Sequence, residues 1–226
     1  VETTRTPSGT APPVSPALHA GASLEVALLA AAVLEEAHPT AARALAEDPR
    51  HPWQRVQDAA ALLRAGTDPG RALALAARER ATASAPGAVL VLRHALRVDL
   101  VLRTAAAGGR APSDADAERY VREQVSTAVL GGAEPEDVPH RLADVRAVLD
   151  DVRRALRGGA SLGRLPSRQL GGPHAQLVPG WREAAALAPA VLPGWAPHAR
   201  PAERGELARA LRRLDAASAA LSPHRR

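Results

Sequence analysis

Residues 88–109 read AVLVLRHALRVDLVLRTAAAGG, the most apolar long segment of the chain, and they decide the fold class. The segment lacks the two-residue alternation of a half-buried strand, and Pro86-Gly87 and Gly108-Gly109 bound it as helix start and stop signals. Wound as a helix, it places Leu90, Val91, Val98, Val101 and Ala105 on the same side as His94, with Arg97 at the edge of that stripe. A histidine centred in an apolar stripe has two readings. It is a buried neutral imidazole bonded to a backbone carbonyl, or an axial haem ligand presented from an apolar wall.

The same punctuation recurs on both sides. Upstream, Ser23 opens a helix that ends near His38, because Pro39 disfavours helix at the residue before it. Pro39, Pro52 and Asp68-Pro69 start three more, since proline is tolerated in the first turn. Downstream, Ser113 with Asp116 three residues later resembles a capping box for a helix that stops at Gly131-Gly132. Further helices are expected over about 139–157, 181–191 and 202–220, with a Gly/Pro-rich connector over 158–180. No β-branched alternating run appears. The expectation is a single all-α domain over residues 18–226, preceded by a Pro/Thr/Ser-rich disordered tail at 1–17.

The 226 residues suffice for one core, and 46% are apolar, but the apolar set lacks Phe, Met, Cys and Ile. The core is therefore built from Ala, Leu and Val with three tryptophans, a palette that favours helix. Without cysteine there are no disulfides, thiolate metal sites or cysteine nucleophile. The net charge of +5 and a sequence pI near 11.1 suggest a nucleic-acid binder at first sight. Every basic residue is arginine, however, and these are interleaved with acids. Aromatics at 2% leave no stacking platform for bases, so nucleic acid is not the expected partner. The run VALLAAAVL at 26–34 is about half the roughly 20 residues of a spanning helix, and the N-terminal residues do not read as a secretory signal. A cytoplasmic protein is expected.

Residues 35–56, EEAHPTAARALAEDPRHPWQRV, hold two His-Pro pairs. Glu35-x-x-His38 has the spacing of a di-iron carboxylate helix, but the other acid-x-x-His matches, Asp48 to His51 and Asp137 to His140, straddle prolines. The plainer reading puts His38 and His51 at helix junctions, bonding free carbonyls. No G-x-S-x-G, HExxH, Walker loop or G-x-G-x-x-G occurs, so nothing points to hydrolase, kinase or nucleotide chemistry.

Taken in order, several stretches resemble the MpaB-type oxygenases, a family that includes the latex clearing protein. They are Ala37-His38-Pro39; HPWQR at 51–55; LRHALRVDL at 92–100, which keeps His94, Ala95, Val98 and Asp99; SDADAERYVREQVSTAVLGG at 113–132; and VLPGW at 191–195. The resemblance spans roughly 24–200. It implies an all-helical fold that holds haem b and oxidises apolar substrates with dioxygen. The chain also departs from that pattern. Ala59 stands where the family has Thr, Leu92 where it has Trp, and Thr82 and Pro86 fall on the family's haem-ligating His and nearby Arg.

Either haem is held otherwise, with His94 as its iron ligand, or this is a degenerate member that has lost the chemistry. On the first reading Arg97 reaches a propionate, His38 stands on the opposite face and Arg55 forms a polar pocket wall. The leading function is then a haem-associated oxygenase or oxidoreductase acting on an apolar small molecule. The alternative is a non-catalytic helical protein on the same scaffold that binds an apolar ligand or a protein partner.

Overall fold

The computed structural model describes residues 12–65, 68–82, 85–157, 180–196 and 199–220, and every regular element among them is a helix. In chain order these are α1 (Ser15–Leu18), α2 (Ser23–Ala37), α3 (Pro39–Ala46), α4 (Pro52–Arg64) and α5 (Pro69–Thr82). There follow α6 (Gly87–Ala107), α7 (Asp114–Leu130), α8 (Leu142–Arg157), α9 (Trp181–Val191) and α10 (Arg204–Ala220). The fold is all-α, as expected. Most of the connector expected at 158–180 lies outside the described residues.

Helix α2, SLEVALLAAAVLEEA, is apolar on nearly every side and so has to be covered all round. Leu24, Val26, Leu29, Ala30 and Leu34 are each at most 1% exposed. α6, α9, α4 and α3 surround it, with α6 the most extensive neighbour. Small alanines on α2 let these helices approach closely, and larger volume comes from Trp181 and Tyr120, both fully buried. No helix among the described residues is long and apolar enough to cross a membrane.

Helix α6 is buried on more than the one stripe expected. Ala95, Leu96 and Leu100 are buried along with Val98 and Val101, whereas Leu90 and Val91 are only half-buried. The reason is tertiary: α2 packs along one flank while α8 and α7 cover others.

Helix ends follow the local code. Gly109 (φ 81°) and Gly132 (φ 104°) take the left-handed conformation just past α6 and α7. In both, the next amide closes a Schellman turn, Arg110 N to Ala105 O (2.8 Å) and Ala133 N to Ala128 O (3.1 Å). Ser113 Oγ accepts from Asp116 N at 3.1 Å, so the N-cap forms. The reciprocal half of the box does not, because the short Asp116 side chain accepts from the Ser113 hydroxyl instead (2.7 Å).

One boundary differs from the sequence reading. Of the expected 1–17 tail, residues 1–11 lie outside the described residues, but residues 12–17 are fastened to α7. Glu123 accepts from the amides of Val14 (2.9 Å) and Ser15 (2.8 Å) and from Ser15 Oγ (2.5 Å), and Arg119 donates to Pro12 O (3.1 Å). A composition argument cannot see this, because the carboxylate that orders the segment lies over a hundred residues away in sequence.

Candidate functional site

His94 and Arg97, both singled out from sequence, line one small void between α4, α6 and α7, together with Leu63, Tyr120 and Gln124. His94 is 7% exposed. The Pro139 carbonyl accepts a hydrogen bond from its ring, while Nε2 is buried with no partner. The bonded nitrogen is therefore Nδ1–H, and Nε2 keeps its lone pair. Burial, then the positive charge of Arg97, hold this imidazole down at about 4, against the pull of the Pro139 bond. It is neutral at pH 7.

A second, much larger cavity of about 1440 Å³ opens on the other side of the same wall. Leu63, Gln124 and Thr127 face both spaces and form the partition. Its apolar lining includes Trp181, Ala184, Leu187 and Leu214. Several of its polar side chains are already paired within the protein. Arg64 pairs with both oxygens of Glu25 (2.7 and 2.9 Å) and donates to Gly21 O (2.8 Å). Glu123 lies below the usual carboxylate range: burial pushes it up, but the hydrogen bonds from Ser15 Oγ and the two amides outweigh that.

His19, just past α1, also lies in this wall and is 4% exposed. Nδ1 bonds Leu63 O and Nε2 bonds Tyr120 Oη, each at 2.9 Å. Because the carbonyl can only accept, Nδ1 carries the proton and Tyr120 donates to Nε2. Burial holds His19 down at about 4 and pushes the Tyr120 phenol well above its ordinary value.

The other two sequence candidates lie elsewhere. His38 sits at the junction of α2 and α3, and Arg55 pairs with Glu36 across α2 and α4 at 2.9 Å. Neither lines either cavity. His38 Nδ1 has no partner, so it does not bond a free helix carbonyl as the junction reading expected. His51 does act at a junction, but as an N-cap: its Nδ1 accepts from Trp53 N (3.4 Å). Glu35, half of the di-iron spacing, is 5% exposed and turned to Arg93 Nε at 3.0 Å. Among the described residues no group of three or more His, Asp or Glu is placed to hold a metal ion.

Haem needs a free imidazole and room for a porphyrin, and the two are separated here. His94 offers a lone pair of the right kind, but its void measures about 40 Å³. That is room for about three waters, against the roughly 300 Å³ or more of a pocket for a larger organic ligand. The large cavity has the room, but His19 spends both ring nitrogens on protein partners. Thr82 is the last residue of α5, with a side chain outside the described part, and Pro86 is exposed as the N-cap residue of α6. The residues present do not fit haem at His94 in this conformation.

In sequence Tyr120 and Gln124 stand out only as part of the motif at 113–132. A signal for them existed: Ala117, Tyr120, Val121 and Gln124 share one helical face, and all four are buried. A lone tyrosine and a glutamine on an apolar face require partners. His19 gave no such signal.

Residues 17–222 match the family model described as ER-bound oxygenase mpaB/B'/rubber oxygenase, catalytic domain. No curated protein and no solved structure matches the chain.

Proposed function

The chain belongs to the MpaB/rubber oxygenase catalytic-domain family, and we propose that it is a ligand-binding member whose large cleft takes an apolar molecule, without porphyrin on His94. The observation that carries this is the mismatch of space and ligand: about 1440 Å³ beside saturated histidine chemistry, and about 40 Å³ beside the free one. Because Arg64, Glu25, Glu123 and His19 are already paired, a guest in the cleft gains mainly by covering the apolar surface still open to water there, at Pro16, Ala20, Ala186 and Leu187. Each Å² of apolar surface so removed from water contributes about 25 cal/mol before the costs of ordering the ligand.

A haem-linked oxidoreductase is the second reading, favoured by one feature, the Nδ1–H bond to Pro139 that leaves His94 Nε2 ready to ligate. Two titrations separate them. Hemin added to purified protein should leave the free-hemin spectrum unchanged, while an apolar fluorescent dye should bind saturably and be displaced by long-chain aliphatic competitors. Leu187→Arg, at a half-buried position of the cleft, should weaken the dye at least tenfold with helicity intact. A stoichiometric haem absorbance band that His94→Ala abolishes would overturn the proposal in favour of the second reading.

A further inference from the structure

We infer that the void between α4, α6 and α7 is a binding site for small neutral molecules with two hydrogen-bond donors, with ordered water its resident, held between His94 Nε2 and Gln124 Oε1. Two buried polar atoms are left without a protein partner on this wall, and both are acceptors. On His94 the choice of nitrogen follows from Pro139, whose backbone has a carbonyl but no N–H, so the bonded ring nitrogen must donate.

On Gln124 the choice follows from a relay on the opposite side. Gln124 Nε2 donates to Ser15 Oγ at 2.8 Å, and Ser15 Oγ donates onward to Glu123 Oε2. Turning the amide over would set its carbonyl oxygen against a hydroxyl whose proton is already committed, so Oε1 stays away from Ser15. Both side chains are more than nine-tenths buried, Gln124 at 4% and His94 at 7% exposed.

An acceptor left unmet in such a place is costly, and two on residues that line one space set the chemistry of what fills it. An anion would meet two lone pairs. A cation would stand beside Arg97 and Arg93, which also line the void. A neutral molecule with two X–H bonds satisfies both acceptors at once, and water is the smallest. The volume of about 40 Å³ admits it, and the polar partners required of a buried water are present. Hydrogen peroxide or hydroxylamine meets the same donor rule; aliphatic guests do not. The site is independent of what occupies the large cleft and shares with the preceding reading only the absence of porphyrin on His94.

The test is nuclear magnetic resonance on the intact, isotope-labelled chain without added haem. Two-bond nitrogen–proton correlations should show His94 as the Nδ1–H tautomer with Nε2 as an acceptor. A cross-peak to long-lived water should appear on the His94 Hε1 proton. Gln124→Leu should abolish the water peak while the Nδ1–H tautomer persists. An Nε2–H tautomer in the wild type would overturn the inference, since that nitrogen would then be a donor and no longer an acceptor. So would a missing water peak in the wild type, or one that survives Gln124→Leu. Because the tautomer and the water peak are read on the unaltered protein, they decide the matter even if the variant does not fold. Failure of the cleft reading shows in dye binding instead, so the two are distinguishable.

Discussion

Glu35 and Arg93 join the two central helices, and their worth can be measured by a mutant cycle. The pair spans α2 and α6 at 3.0 Å, with residues only 5% and 8% exposed. Arg93→Met keeps most of the side-chain volume but leaves a carboxylate in the interior. Removing one partner of a buried pair costs about 3–5 kcal/mol, a large share of the roughly 5–15 kcal/mol that holds a domain folded. Replacing both, as Glu35→Leu with Arg93→Met, removes the stranded charge together with its partner. The double variant should recover to within about 2 kcal/mol of the wild type, a coupling of at least about 2 kcal/mol. The assay is urea unfolding followed by the helical circular dichroism signal. If Arg93→Met alone costs less than about 1 kcal/mol, water reaches Glu35 and the pair is not a core feature. If the double variant loses the sum of the singles, the two side chains act separately and the reasoning fails.

Three further outcomes are expected. His19 and His94 both titrate near 4 when folded against an ordinary 6.5, so each is held neutral by the fold. Their contribution is complete above pH 6.5 and is lost as pH falls toward 4, up to about 3 kcal/mol apiece; His94→Gln should lower the slope of stability against pH by about one proton, and an unchanged slope would refute this. Tyr120→Phe removes the donor to His19 Nε2 and should cost about 1–3 kcal/mol, read as a lower Tm; a change within error would mean that water or another group replaces the phenol. Gly21 has φ 83°, and a Cβ there would strike the Asp215 carboxylate, which caps α2 through Ser23 N at 2.8 Å. Gly21→Ala and Asp215→Ala should each cost about 1 kcal/mol or more, but their combination less than the sum, because the second removes what the first strikes; strict additivity in the unfolding midpoints would disprove the clash.

Much of the architecture was legible because it is coded locally. Pro39, Pro52 and Pro69 open α3, α4 and α5, and the Gly pairs at 108 and 131 close α6 and α7, each through backbone chemistry within a few residues. The family motifs were legible for the same reason. Burial around α6 was only half legible, because helical periodicity identifies one covered face and cannot reveal that a second neighbour covers another.

The candidate site divides along the same line. From sequence alone came an all-α chain of Ala, Leu and Val with His94 on a buried helix face and Arg97 one turn away, and both indeed share a void. Only the tertiary structure decided what that histidine can do, since its tautomer depends on a carbonyl 45 positions further on, at Pro139. It likewise decided that Glu35 meets Arg93 and that His19 is bonded on both nitrogens, by Leu63 and Tyr120. Periodicity reports which way a side chain faces; a hydrogen-bond partner is set by which helix the fold brings against it, and helix packing is a long-range outcome of the whole core.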